Sequence, residues 1–126
     1  MKEYLVSNKA PAPIGPYSQA VGFKNLIFTS GQIALDTEGN IVSSEIKEQT
    51  KKVLLNLKNI LEDNGSSLNH VIKTTVFLKD MMEFNSMNEV YESFLGTSLP
   101  ARSTVEVSRL PKDVRVEIEV IAYKNN

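Results

Sequence analysis

Cysteine is absent from the sequence, and His70 is its one histidine. Without a thiol there is no disulfide, no thiolate nucleophile and no cysteine metal ligand. One histidine cannot build a metal site alone. No apolar run is long enough to cross a bilayer. The opening Met1-Lys2-Glu3-Tyr4-Leu5 lacks the apolar centre of a secretory signal, so the cytoplasm is the expected location. A surplus of charge is missing too. Fourteen basic residues face fifteen acidic ones, for a formal charge of −1, which argues against a dedicated nucleic-acid surface while allowing a local basic patch. Repeats, low-complexity tracts and linkers are also lacking, so one domain is expected over 1–126, long enough to bury a core.

What is present reads as an α+β pattern. Pro11, Pro13 and Pro16 remove backbone donors and fix φ, which marks an ordered loop or extended arm. A short strand is expected before it, near Glu3 to Val6. Ala20 to Phe23 and Leu26 to Ser30 read as strands joined by a tight Lys24-Asn25 turn, with Asn25 suited to a left-handed conformation. From Ser44 to Asn64, Ile46, Val53, Leu54, Leu57, Ile60 and Leu61 recur at helical spacing, and Gly65 supplies the stop. Val71 to Leu78 is rich in β-branched residues and reads as a strand. Asp80 and Glu83 resemble a capping box for a second helix, whose buried stripe is Phe84, Met87, Val90, Tyr91 and Phe94 and whose end is Gly96. Arg102 to Val107 and Arg115 to Tyr123 are the last strands, joined by a turn at Leu110-Pro111-Lys112-Asp113. Six strands and two helices pack most simply as one sheet with both helices on one face.

Alternation in the last two strands predicts which residues the helices leave uncovered. Val116, Ile118, Val120 and Ala122 point one way along the final strand, and Glu117, Glu119, Ile121 and Tyr123 the other. Its predecessor alternates Val105 and Val107 with Arg102, Thr104 and Glu106. If both apolar faces meet the helices, Arg102, Thr104, Glu106, Glu117 and Glu119 share the open face. A solvated face is the ordinary fate of such charges. Ile121 and Tyr123 on the same face argue instead for coverage by another copy. Asn88 lies one turn from both Phe84 and Tyr91, at the edge of the buried stripe, where an inward turn would hold a backbone group or a ligand.

Two blocks are specific enough to carry a resemblance. They are Ala12-Pro13-Ile14-Gly15-Pro16-Tyr17-Ser18-Gln19-Ala20 with Phe28-Thr29-Ser30-Gly31-Gln32-Ile33, and Pro100-Ala101-Arg102-Ser103-Thr104-Val105 followed by Leu110-Pro111-Lys112 and Val116-Glu117-Ile118-Glu119. Over essentially the whole chain the sequence resembles the Rid (YjgF) family of imine deaminases, and within it the archetypal branch of 2-iminobutanoate/2-iminopropanoate deaminases. The resemblance implies a chorismate-mutase-like fold and a homotrimer whose sheets form a central barrel, with three sites in clefts between subunits. It implies hydrolysis of reactive 2-imino acids, the products of pyridoxal-phosphate dehydratases, to 2-keto acids and ammonia, with no cofactor and no metal.

By the same resemblance Arg102 grips the substrate carboxylate and Glu117 positions and activates the attacking water. Tyr17, Ser30, Gly31 and Asn88 line the cleft. Thr104 stands where many members have cysteine and contributes mainly its backbone. These residue types suit the chemistry. Arginine's planar fork makes two parallel charge-assisted bonds to a carboxylate. One carboxylate can take a proton from water and return it to the leaving nitrogen. Backbone N–H groups near Gly31 and Thr104 would hold developing charge. Two other functions fit parts of the pattern: a non-catalytic trimer that binds small carboxylates through the same arginine, and an RNA-cleaving role. The neutral charge balance disfavours the second.

Overall fold

The computed structural model describes residues 1–125, so the last residue of the expected domain, Asn126, lies outside them. Strands β1 (Glu3–Leu5), β2 (Ala20–Phe23) and β3 (Leu26–Thr29) are followed by helix α1 (Ile46–Glu62), strand β4 (Val71–Leu78), helix α2 (Phe84–Leu95) and strands β5 (Ala101–Glu106) and β6 (Val116–Tyr123). They form one six-stranded sheet in the order β1-β2-β3-β6-β4-β5. Only the β4–β5 pair is parallel, because α2 crosses between those two strands; every other pair is antiparallel. The architecture is α+β with a mixed sheet, as the pattern predicts.

Both helices lie against one face. Val53, Leu54, Leu57, Ile60 and Leu61 of α1, and Met87 and Leu95 of α2, are shut off from solvent together with Ile27, Val76, Val116 and Ile118 of the sheet. Each such aliphatic side chain contributes roughly 1.5–3 kcal/mol by leaving water. Gly65 stops α1 as expected. Its φ of +82 closes a Schellman turn in which Ser66 N–H donates to Leu61 O at 2.8 Å.

Three local expectations are corrected. Lys24, at φ +54, takes the left-handed position in the β2–β3 turn, and Asn25 does not. Only half of the capping box forms. Asp80 accepts from Met82 N–H at 2.9 Å, but Glu83 turns away to take Arg115 Nε at 2.7 Å, and a 3-10 turn over Met81–Glu83 precedes α2. Gly96 keeps a helical φ of −65; the left-handed residue after α2 is Leu99, at φ +47.

The largest correction concerns β5. Its register partner for Arg102 is Thr74, which is fully buried on the helix side and shares a 2.8 Å hydrogen bond with Tyr91 Oη of α2. Thr104 pairs with buried Val76, and Glu106 accepts Met81 N–H at 2.8 Å. Arg102, Thr104 and Glu106 therefore point to the helix side. Ala101, Ser103 and Val105 point to the open face, Val105 at 43% exposure. Glu117 and Glu119 do lie on the open face, opposite Phe77 and Thr75. Because β5 is the edge strand at the margin of α2, its helix side is roofed by Asn88 and Tyr91 instead of aliphatic core, and burial there does not follow the apolar alternation.

Candidate functional site

Two cavities hold all the candidate site residues except Thr104, and one chain does not bring the two cavities together. The first, about 480 Å³, lies where the end of α2 meets the start of β5 and includes Asn88, Tyr91, Glu92, Leu99 and Arg102. Phe84, Asn88 and Tyr91 recur at spacings of four and three, so they share one face of α2. That face forms a seat for Arg102. Arg102 Nη1 donates to Asn88 Oδ1 at 2.7 Å, and the guanidinium carbon lies 4.6 Å from the Tyr91 ring centroid and 5.4 Å from that of Phe84. Stacking and one hydrogen bond orient the fork without neutralising it. Among the described residues Arg102 has no carboxylate partner, and its other N–H groups have no acceptor. Asn88 thus turns inward to hold a side chain.

The second cavity, about 430 Å³, opens beside the proline arm and includes Pro13, Tyr17, Ser30, Gly31, Lys112 and Glu117. Three clamps build it. Gln19, buried, accepts Ser7 N–H at 2.7 Å and donates from Nε2 to Pro11 O at 2.8 Å, tying the arm down. Ser30 N–H donates to Gln19 O at 2.9 Å, and its hydroxyl to Ser18 O at 2.6 Å. Gln32 exchanges two backbone bonds with Ile118, at 2.9 and 3.2 Å, which locks Gly31 beside Glu117. Tyr17 Oη accepts Ile14 N–H at 3.3 Å within the arm.

Glu117 is half-buried, and loss of hydration there raises its carboxyl above the ordinary carboxylate value, with Glu119 on the same strand adding repulsion. Lys112 lines the same cavity from a turn at φ +56, and its ammonium donates to Gly39 O at 3.2 Å. Thr104 lines neither cavity; its hydroxyl is buried with no hydrogen-bond partner among the described residues. Among those residues no group of three or more His, Asp or Glu is placed to share a metal ion, and no helix is long and apolar enough to cross a membrane.

Sequence reasoning passed over Gln19 and Lys112 as builders of this site. Lys112 sits in a motif already noted, but its left-handed turn is not visible in composition. Gln19 carries a weaker signal, a lone amide closing a proline-rich arm whose carbonyls lack partners of their own.

Residues 7–124 match the model of the endoribonuclease L-PSP family. The chain is 60% identical to a RutC family protein of Pyrococcus abyssi, over 98% of each chain, and 46% identical to the 2-iminobutanoate/2-iminopropanoate deaminase of Mus musculus, over 98% of this chain and 93% of that one. It superposes on the crystal structure of Escherichia coli TdcF with bound serine at a TM-score of 0.91 and 40% identity, covering 98% and 99% of the two chains. A fold of two helices over a mixed sheet, with identity to such relatives across nearly the full length of the chain, defines the class: the chain belongs to the L-PSP (YjgF/Rid) family.

Proposed function

We propose that the protein hydrolyses 2-imino acids to 2-keto acids and ammonia, at sites formed where the Arg102 cavity of one copy meets the Glu117 cavity of the next in a homotrimer. The observation that carries this reading is Arg102 itself. It is a pre-oriented guanidinium with unspent donors at a cavity wall, which is what a small carboxylate ligand requires. Glu117, half-buried and raised above the ordinary carboxylate value, supplies the second requirement, a group that both accepts and returns a proton. The two lie on opposite faces of the sheet with β4 between their strands, so only a second copy lets both reach one ligand. The mouse relative's name and the serine bound to TdcF fit a small carboxylate-bearing substrate.

In this reading Arg102 holds the carboxylate and so orients the adjacent C=N bond. Water adds to the carbon of the protonated imine as Glu117 takes a proton from it, giving a neutral carbinolamine. The protonated Glu117 then passes that proton to the nitrogen. The C–N bond breaks, ammonia leaves, and the hydroxyl oxygen becomes the keto oxygen as its proton is released. Tyr17, Ser30 and the Gly31 backbone line the wall beside Glu117, and Thr104 contributes its backbone next to Arg102. The endoribonuclease of the family's description fits less well: each cavity carries one cation, Arg102 or Lys112, and a phosphate backbone asks for a track of them.

The test generates 2-iminobutanoate in place from threonine and a dehydratase, and traps surviving imine with semicarbazide. The protein is expected to lower the trapped fraction, and Arg102→Ala to leave it near the uncatalysed level. Wild-type turnover by Arg102→Ala would remove the carboxylate anchor from the account. No effect from the intact protein would leave a carboxylate-binding regulator in its place.

A further inference from the structure

We infer that Gly31 is the seat of the Glu117 carboxyl, a positioning residue that sets where the proton-transferring oxygen sits. This deepens the reading above and rests on it for its kinetic arm alone. Gly31 is not among the glycines with positive φ, so conformational freedom does not explain it. Space does. A Cβ built on Gly31 falls 2.8 Å from Glu117 Cδ and 3.0 Å from its Cγ, closer still to the carboxylate oxygen Oε2, and far inside van der Waals contact. The Glu117 carboxyl thus lies directly on the Gly31 backbone and occupies the place a side chain would take.

The backbone there cannot yield. Ser30 N–H is bonded to Gln19 O, and Gln32 is bonded both ways to Ile118, the residue after Glu117. The Glu117 side chain can yield, because the clashing atoms are its flexible end. A methyl at position 31 therefore leaves the fold intact and drives the carboxyl off its seat, toward the open face and solvent.

The ionisable groups around Glu117 are Glu119 on its own strand, Tyr17 of the arm, and Lys112 of the turn, whose ammonium is engaged by Gly39 O. In the proposed assembly Arg102 of a second copy joins them. The three atoms nearest a methyl at position 31 all belong to Glu117, so a change in Glu117 titration reports the lost seat.

The experiment uses the full chain with Gly31→Ala, Glu117→Asp and both together. Glu117 is first titrated by carboxyl carbon NMR without substrate. In Gly31→Ala its midpoint is expected to fall toward the ordinary carboxylate value, with the melting temperature within about 4 °C of wild type. Turnover of 2-iminobutanoate is expected to fall about 100-fold in kcat, the usual consequence of a misplaced reacting group, with KM little changed. Aspartate is one methylene shorter and fits beneath the new methyl, so the activity remaining in the double variant is expected to exceed the product of the two single residual activities by about tenfold.

An unchanged Glu117 midpoint in folded Gly31→Ala overturns the inference whatever the activity. So does a raised KM with unchanged kcat, which would make Gly31 a gap for the ligand. If wild type fails to hydrolyse imines, the proposed function falls, and the titration still decides the role of Gly31.

Discussion

Arg102 and Glu117 solve opposite electrostatic problems with their surroundings. Asn88 and two ring faces orient Arg102 while leaving most of its donors for a ligand. Glu117 has its charge disfavoured by burial and by Glu119. That second choice costs stability. A carboxyl whose folded pKa lies above its unfolded one destabilises the fold fully above the folded value, and not at all below the unfolded one. Glu117→Gln is therefore expected to raise the melting temperature near pH 7.5. The gain should shrink as pH falls through the raised Glu117 value and vanish below the ordinary carboxylate range. Thermal melts across pH 4–8 check it, and a gain that persists undiminished at low pH would show that ionisation is not its source. The Glu117→Gln protein should also lose catalysis by about 10²–10⁴-fold, the range for one general acid–base group. Both residues were legible as candidates from the sequence, Arg102 through its motif and Glu117 through strand alternation as well. The cradle of Phe84 and Tyr91 beneath Arg102 was not, because no periodicity within α2 or β5 says that the two elements face each other.

At the scale of elements, α1 and β6 were read correctly, while the α2 stripe was read in part. Met87 and Tyr91 are buried as expected, Leu95 joins them unforeseen, and Phe84, Val90 and Phe94 are only partly buried. The α1 stripe and the β6 alternation each match the buried residues, since both elements cross the middle of the core. The β5 alternation misled because an edge strand beyond the helix layer meets polar side chains on its inner side. The arm before β2 shows the same lesson in reverse. Its prolines announce order but not what holds it, which is the buried Gln19 amide bridging Ser7 and Pro11. Gln19→Ala is expected to cost about 1–3 kcal/mol, because buried backbone groups lose their partners. It should also loosen the wall that carries Tyr17 and Ser30. Urea unfolding measures the first effect, and faster amide exchange at residues 10–19 the second. A loss below about 0.5 kcal/mol, with the arm still protected, would mean that the clamp is redundant.

For the whole molecule, the open sheet face is the feature that a lone chain leaves unresolved. Phe28, Val105, Ile121 and Tyr123 share it with Glu117 and Glu119, a mixture that an entirely solvated face does not need. Sequence alternation placed Glu117, Glu119, Ile121 and Tyr123 on this face, but strand order and register were needed to see that Arg102 sits on the other side. That separation makes the account depend on assembly. If each site takes Arg102 from one copy and Glu117 from the next, two inactive variants can repair one another. The most direct measurement mixes Arg102→Ala and Glu117→Gln chains in equal amounts, lets subunits exchange after mild denaturation and refolding, and assays 2-iminobutanoate hydrolysis. Random assembly leaves about one quarter of inter-copy sites with both residues intact, so the mixture should recover about a quarter of wild-type turnover while each variant alone stays inactive. A mixture that remains inactive, with mixed oligomers demonstrated by mass spectrometry, would contradict a site shared between copies.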